Sequence, residues 1–252
     1  MFAHVKDLEG FRIAAKDGEI GRVTDVYFED TDWAIRYFVV ATGSWLFGRR
    51  VLVSPNSVKS VDWDERSVCV ELTREQVRDS PDIDTDRPVS RQQEAEYHLY
   101  YNFPPYWGGV ALWGRYDEPG GEPSAEDTAV AEADKDHKVG ADNHLRSVNE
   151  VLGYKVIATD GQVGHVEHFL VDPQSWAIRY LVVHTGKWLS RHESLTTPKL
   201  VDRIVWADAT VTINTSKALM ESAPEYDDSR TLTREQQRAM FTHFSVHPYW
   251  ED

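Results

Sequence analysis

Ten histidines stand out in the chain as possible metal ligands. His165 and His168 lie closest together in a strand-like stretch. Strand residues three apart point to opposite faces, so without a bulge these two cannot share one ion. His243 and His247 have helical spacing, but the helix carrying His243 is expected to stop at Ser245-Val-His247-Pro248. Asp82-Ile-Asp84-Thr-Asp86 has the opening spacing of a calcium loop. It lacks the glycine at the sixth position and the glutamate at the twelfth, where Arg87 and Gln93 stand, and the related stretch Glu225-Tyr-Asp227-Asp-Ser229 keeps only some of the acids. It reads as a turn held by Asx-type hydrogen bonds. No metal site is expected.

Arg36 and Arg179 are a different matter, because each sits in the middle of an apolar strand and must reach water or find a partner. One reading is structural: the guanidinium stacks on an aromatic ring or pairs with a carboxylate. The other is an anchor for a partner's carboxylate or backbone. Trp45 and Trp188 follow a glycine turn and are candidates for exposed interface anchors. Arg36, Trp45, Arg179 and Trp188 therefore form the candidate partner-binding set. No Gly-rich phosphate loop, nucleophile elbow or repeated acid–base pair is present, so no catalytic residue and no cofactor are expected.

These residues come in pairs because the chain is a duplication. Asp32-Trp-Ala-Ile-Arg-Tyr-Phe-Val-Val-Ala-Thr-Gly-Ser-Trp45 returns 143 positions later as Ser175-Trp-Ala-Ile-Arg-Tyr-Leu-Val-Val-His-Thr-Gly-Lys-Trp188. Aligned without a gap, residues 10–107 and 153–250 are identical at 30 of 98 positions. In each copy Asp17-Gly18 or Asp160-Gly161 makes a hairpin turn. Gly21 and Gly164 mark a bulge or a close backbone approach. Ala34–Ala41, aromatic and β-branched throughout, reads as the central strand. Arg50–Ser54, Ser57–Trp63 and Ser67–Leu72 add three more, which gives about six short strands per copy and suits a small antiparallel barrel closed on itself. Thr73 and Ser216 cap one short helix; Ser90 and Thr233 cap a second, over Arg91–Tyr101 and Arg234–Phe244. Trp107 and Trp250 are expected to pin that second helix. The domains read as 1–107 and 149–252, with 108–148 as a flexible acidic linker that has too little apolar surface to order itself.

The formal charge of −15 repels phosphate backbones, which argues against nucleic acid. Cys69 is the only cysteine, so no intramolecular disulfide forms and thiolate-rich metal sites are disfavoured. No leader-like segment or long apolar run is present, and the chain reads as soluble and cytoplasmic.

Asp17-Gly-Glu-Ile-Gly21, Trp33-Ala-Ile-Arg-Tyr-Phe-Val-Val40 leading to Thr42-Gly43, Pro55 and Thr73-Arg-Glu-Gln-Val77 together resemble the PRC-barrel family. That family is named for the cytoplasmic domain of the photosynthetic reaction-centre H subunit. Ser80-Pro81 and Pro104-Pro-Tyr-Trp107 are similar to its bacterial tandem members. The resemblance implies two small barrels acting as a non-enzymatic scaffold or adaptor for a protein partner, with homo-oligomers and peripheral membrane association left open. Two alternatives are kept. One is a soluble ligand-binding protein or enzyme with its site between copies, suggested by divergent pairs such as Arg50 with Glu193 and Ala41 with His184. The other, from the resemblance alone, is a peripheral component of a membrane complex.

Overall fold

The computed structural model describes residues 2–83, 88–136, 144–185, 193–228 and 230–251. The chain divides into two compact units. The amino-terminal unit holds Asp7–Ser147 with Gln174–Ala177; the carboxy-terminal unit holds Met1–Lys6, Val148–Pro173 and Ile178–Asp252. Both are mainly β with a few short helices, and each has one seven-stranded sheet.

After β1 (Ala3–His4), the strands of the amino-terminal unit are β2 (Arg12–Ala15), β3 (Gly18–Glu29), β4 (Ala34–Ala41), β5 (Arg50–Val53), β6 (Val58–Asp62), β7 (Ser67–Val70) and β8 (Leu145–Ser147). Their order is β5-β4-β3-β2-β7-β6, with β8 on the far half of β3. The carboxy-terminal unit repeats this with β9 (Lys155–Ala158), β10 (Gly161–Val171), β11 (Ile178–His184), β12 (Glu193–Thr196), β13 (Val201–Val205) and β14 (Thr210–Ile213), in the order β12-β11-β10-β9-β14-β13.

The hairpin between β2 and β3 turns where expected, with Ala15 opposite Gly18 and Gly18 at φ 147°, a conformation open to glycine. Asp17 holds the turn against the first helix by accepting from the Arg74 backbone N–H. The register then slips by one residue at Ile20, and β3 crosses β4 so tightly that a Cβ on Gly21 would lie 2.0 Å from the Ala41 carbonyl oxygen. Gly164 repeats the approach, 2.0 Å from the His184 carbonyl oxygen. A side chain there would force the strands apart, so both the bulge and the close approach account for these glycines. In β4 every residue except Ala41 is buried, as a central strand requires.

Three expectations are corrected. First, the sheets are mixed rather than antiparallel: β2 pairs parallel with β7, and β9 with β14. Their residues are some fifty positions apart, so no turn motif signals the pairing. Second, among the described residues no ladder joins β5 to β6 or β12 to β13, and neither sheet closes through hydrogen bonds. The edge strand β6 instead exposes Lys59, Ser60 and Asp62, which disfavours pairing with another chain. Third, much of the expected linker is folded. Trp113 is buried and donates from Nε1 to the Ser175 carbonyl at 2.8 Å. Residues 125–136 form a helix against the one that begins at Arg91, and Asp134 there accepts from Trp107 Nε1 at 2.6 Å. Its net acidity is compatible with folding because Arg115 pairs with Glu126 and Asp127.

The helices are α1 (Arg74–Arg78), α2 (Arg91–Tyr101), α3 (Ala125–Asp136), α4 (Val148–Val151), α5 (Lys217–Glu221) and α6 (Arg234–His243). Thr73, Ser90 and Thr233 each close a reciprocal capping box with a glutamine three residues on. Helix α2 lays Tyr97 on Tyr37, Val39 and Leu52 of the sheet, with Ile83 and Val89 completing the cluster.

The leading strands are exchanged. β1 belongs to the first repeat by sequence but pairs with β10, Ala3 opposite Val171. β8 leads the second repeat but pairs with β3, Arg146 opposite Phe28. These pairs are equivalent at the 143-residue offset, so each unit is completed by the other repeat's leading strand. Phe2 packs edge-on against Tyr180, while Arg146 pairs with Asp30 at 2.6 Å and Ser147 donates to Asp25 at 2.5 Å.

Candidate functional site

Arg36 is wholly buried. Its guanidinium lies 3.9 Å from the Tyr106 ring centroid and 4.8 Å from that of Trp113. It donates to the Leu112 carbonyl at 2.7 Å and faces Asp32 at 3.4 Å and Glu29 at 3.6 Å. Burial alone would raise the Glu29 carboxyl; hydrogen bonds from Thr31 and Asp32, with the Arg36 charge, bring it below its ordinary range. Both the aromatic stack and the carboxylate pairs are therefore present, and a side chain so enclosed is not displayed to a partner. Arg179 is partly buried, with its guanidinium 4.2 Å from the Tyr249 ring centroid.

Around Arg36 lies a buried polar network. Glu94 accepts from the Tyr37 hydroxyl at 3.1 Å and the Tyr106 hydroxyl at 2.5 Å, and pairs with Arg91 at 3.1 Å. Burial raises the Glu94 carboxyl despite Arg91. His98 Nδ1 lies 2.9 Å from the Pro104 carbonyl, which can only accept, so Nδ1 carries the proton. Its unprotonated Nε2 then faces the Tyr37 hydroxyl at 3.1 Å, so the single proton of that hydroxyl lies between two acceptors, Nε2 and the Glu94 carboxylate. Burial pushes the imidazole down to about 3, so it is neutral at physiological pH. An acid, a phenol and an imidazole in line resemble a proton relay, yet all three are buried and neither surface hollow described next is lined by them. In the other unit the equivalents are Gln237, Tyr180 and Phe241. Tyr180 and Arg234 both donate to Gln237 Oε1 at 3.0 Å, without an imidazole. The network thus survives replacement of its titratable groups, which marks it as packing.

One hollow of about 380 Å³ is lined by Trp107, Gly109, Arg115, Glu126 and Val130 among others, but Arg115 is already paired with its carboxylates. Another, of about 30 Å³ between Leu195 and Tyr226, is water-sized. Bulging of β10 at Glu167 does turn His165 and His168 toward new neighbours: His165 meets Glu167 at 3.1 Å, and the His168 ring lies 4.7 Å from that of His4. Glu29, Asp30 and His144 converge closely enough to hold an ion, but Arg36 and Arg146 occupy the two carboxylates.

Trp45 stands in the loop between β4 and β5. Its indole Nε1 donates to the Ile20 carbonyl at 2.6 Å, and the Arg74 guanidinium covers its ring at 4.3 Å. Half-buried, it braces the loop rather than capping it. Thr42 Oγ1 donates to the Arg49 carbonyl at 2.7 Å, and Gly48 donates to Gly43 at 2.7 Å. Arg49 ties the loop's far end to the carbonyls of Ser80 and Pro81. At the tip Phe47 is left-handed at φ 54° and 99% exposed. No repeat signal marks Phe47 in the sequence, because its aligned partner is Ser190. Trp188, Gly186, Asp84–Arg87, Ser229 and residues 137–143 of the expected linker lie outside the described residues. Among the described residues no helix is long and apolar enough to cross a membrane.

No curated protein matches the chain. The family described as PRC-barrel domain matches residues 2–77 and again residues 144–220. Each match spans a leading strand, the hairpin turn, the tight glycine and the central arginine-bearing strand, and together they cover more than half the chain, which therefore belongs to the PRC-barrel domain family as a tandem pair.

Proposed function

We infer that this protein is a non-enzymatic scaffold that binds another protein through the loop between β4 and β5. Modules of this family often mediate protein interactions, and the buried Glu94–Tyr37–His98 network offers no route to a substrate. The observation that carries the reading is Phe47, an aromatic side chain 99% exposed at the tip of a braced loop. A lone exposed apolar residue is ordinary on a protein surface, but a ring held at the tip of a braced loop gains apolar burial on docking and loses little entropy there.

A photo-crosslinking phenylalanine analogue placed at position 47 tests this in the source cell. Trp206, an aromatic side chain 58% exposed, serves as the control position. One discrete protein adduct from position 47 and none from position 206 supports the reading. No adduct from position 47, or the same diffuse set from both, refutes it.

A further inference from the structure

The face beside this loop carries a row of cations. Arg12 on β2 stands opposite Arg22 on β3, Arg22 opposite Ala41 on β4, and Ala41 opposite Arg50 on β5. Residues directly opposite in neighbouring strands share a face. All three arginines are exposed, whereas the chain neighbours Ile13, Val23, Val40 and Val51 point inward and are buried. With strands about 4.8 Å apart the row spans roughly 15 Å. Ala41, the one small side chain in it, stands between Arg22 and Arg50.

The row and the Phe47 loop adjoin. The loop leaves the sheet at Ala41 and returns at Arg50, and Trp45 fastens it to Ile20, two residues from Arg22. Arg50 thus stands at the foot of the loop that carries the exposed ring, with Arg22, which also donates to the Gly10 carbonyl at 3.0 Å, and Arg12 further along the row, on a chain of formal charge −15. The equivalent row in the other unit is Lys155, His165, His184 and Glu193, with one fixed cation and one fixed anion. Its local charge is balanced, so it serves as an internal control.

We propose that the Arg12–Arg22–Arg50 row, together with Phe47, binds a carboxylate-rich segment of a partner protein that also carries an apolar side chain. The proposal rests on the protein-binding reading and names the partner's chemistry. Guanidinium forks grip carboxylates in bidentate geometry, and a nearby ring supplies the apolar contact. Screening confines charge interactions to about 8 Å at physiological salt. A short acidic segment therefore responds to the row itself, while an extended polyanion such as a membrane surface meets the repulsion of the whole molecule.

The test uses the full chain and a short fluorescein-labelled peptide of Glu and Asp around a central Leu, with the peptide of Lys in place of each acid as counterpart. Anisotropy is read at low and moderate salt. The wild-type protein is expected to bind the acidic peptide, more weakly as salt rises. Arg50→Glu is expected to weaken binding roughly fivefold or more, by removing one exposed ion pair and adding a like charge. The fold should tolerate this change because Glu193 occupies the equivalent register. Lys155→Ser should change nothing. Equal affinity of wild type and Arg50→Glu, preference for the basic peptide, or binding to phosphatidylserine vesicles but not the acidic peptide each overturns the proposal. A crosslink at position 47 that persists at full yield in Arg50→Glu retires the row and keeps the loop; peptide binding through the row with no crosslink retires the loop and keeps the row.

Discussion

His98 should make the amino-terminal unit acid-sensitive, and replacing it should remove that sensitivity. In the fold the imidazole is fully buried, neutral, and held down to about 3 from an ordinary 6.5. The unfolded chain therefore takes up a proton at this residue as the pH falls through 6.5, while the folded chain does not. Stability from this group is complete above that pH and is lost progressively toward pH 3. At 1.36 kcal/mol for each pH unit below 6.5, the loss is about 2 kcal/mol at pH 5 and roughly 3 kcal/mol at pH 4. The perturbation is His98→Phe, since the aligned position in the other unit holds Phe241, buried against Trp250. The variant leaves the Pro104 carbonyl without its donor and should be less stable at pH 7.5 by about 1–3 kcal/mol. Its decline between pH 7.5 and pH 5 should nevertheless be about 2 kcal/mol smaller than that of the wild type. Urea unfolding at both pH values, with hydrogen exchange of β4 and α2 amides to assign the transition, gives the comparison, and titrating groups outside the Glu94–Tyr37–His98 network cancel in the difference. Parallel pH dependences in variant and wild type would refute a buried neutral His98.

Two further perturbations probe the frame. Gly21→Ala places a methyl against the Ala41 backbone, which cannot retreat without opening the β3–β4 crossing. A loss of about 3 kcal/mol or more is expected in denaturant unfolding, and a loss below about 1 kcal/mol would show that the crossing gives way easily. Arg146→Ala removes the ion pair to Asp30. Hydrogen exchange should quicken in β3 of the amino-terminal unit and not in β9 or β10 of the repeat to which Arg146 belongs by sequence; the opposite pattern would contradict the strand exchange.

What the sequence made legible was local. Asp17-Gly18 needs only its own dihedral freedom to turn, Ala34–Ala41 announces burial through its composition, and Ser90 with Gln93 satisfies backbone donors three residues apart. Each signal lies within a few residues of the structure it creates. The parallel pairing of β2 with β7 and the exchange of β1 and β8 depend on contacts between distant stretches, and no dipeptide encodes them. The segment after Trp107 was misjudged for a related reason. Its composition is acidic, but Trp113 and Leu112 complete the surroundings of Arg36, a partner some seventy-six residues away, and that partnership orders what composition alone left loose. Around the candidate site, Trp45 stands out in the sequence because it repeats at Trp188. Phe47 carries no such signal because it does not repeat, and Arg12, Arg22 and Arg50 become a row only through the register of β2 to β5.

The two repeats differ in a way that separates packing from recognition. Inside, Arg36, Tyr37, Arg91, Tyr106 and Trp107 recur as Arg179, Tyr180, Arg234, Tyr249 and Trp250, with the guanidinium groups again set over aromatic rings. Glu94 and His98 become Gln237 and Phe241 without dismantling that arrangement, so their ionisation is not what the fold requires. Outside, at equal sheet positions, the arginine row becomes Lys155, His165, His184 and Glu193, and in the aligned sequence Phe47 gives way to Ser190. Packing does not dictate the identity of Arg12, Arg22 and Arg50, because these side chains are exposed on the solvent face of their sheet. Were the exposed row only a solvated surface, both versions would meet water equally well and no exposed aromatic would need to accompany the cations. The coincidence of three exposed arginines, a braced loop and a bare phenylalanine in the amino-terminal unit is what a partner specific to that unit would require.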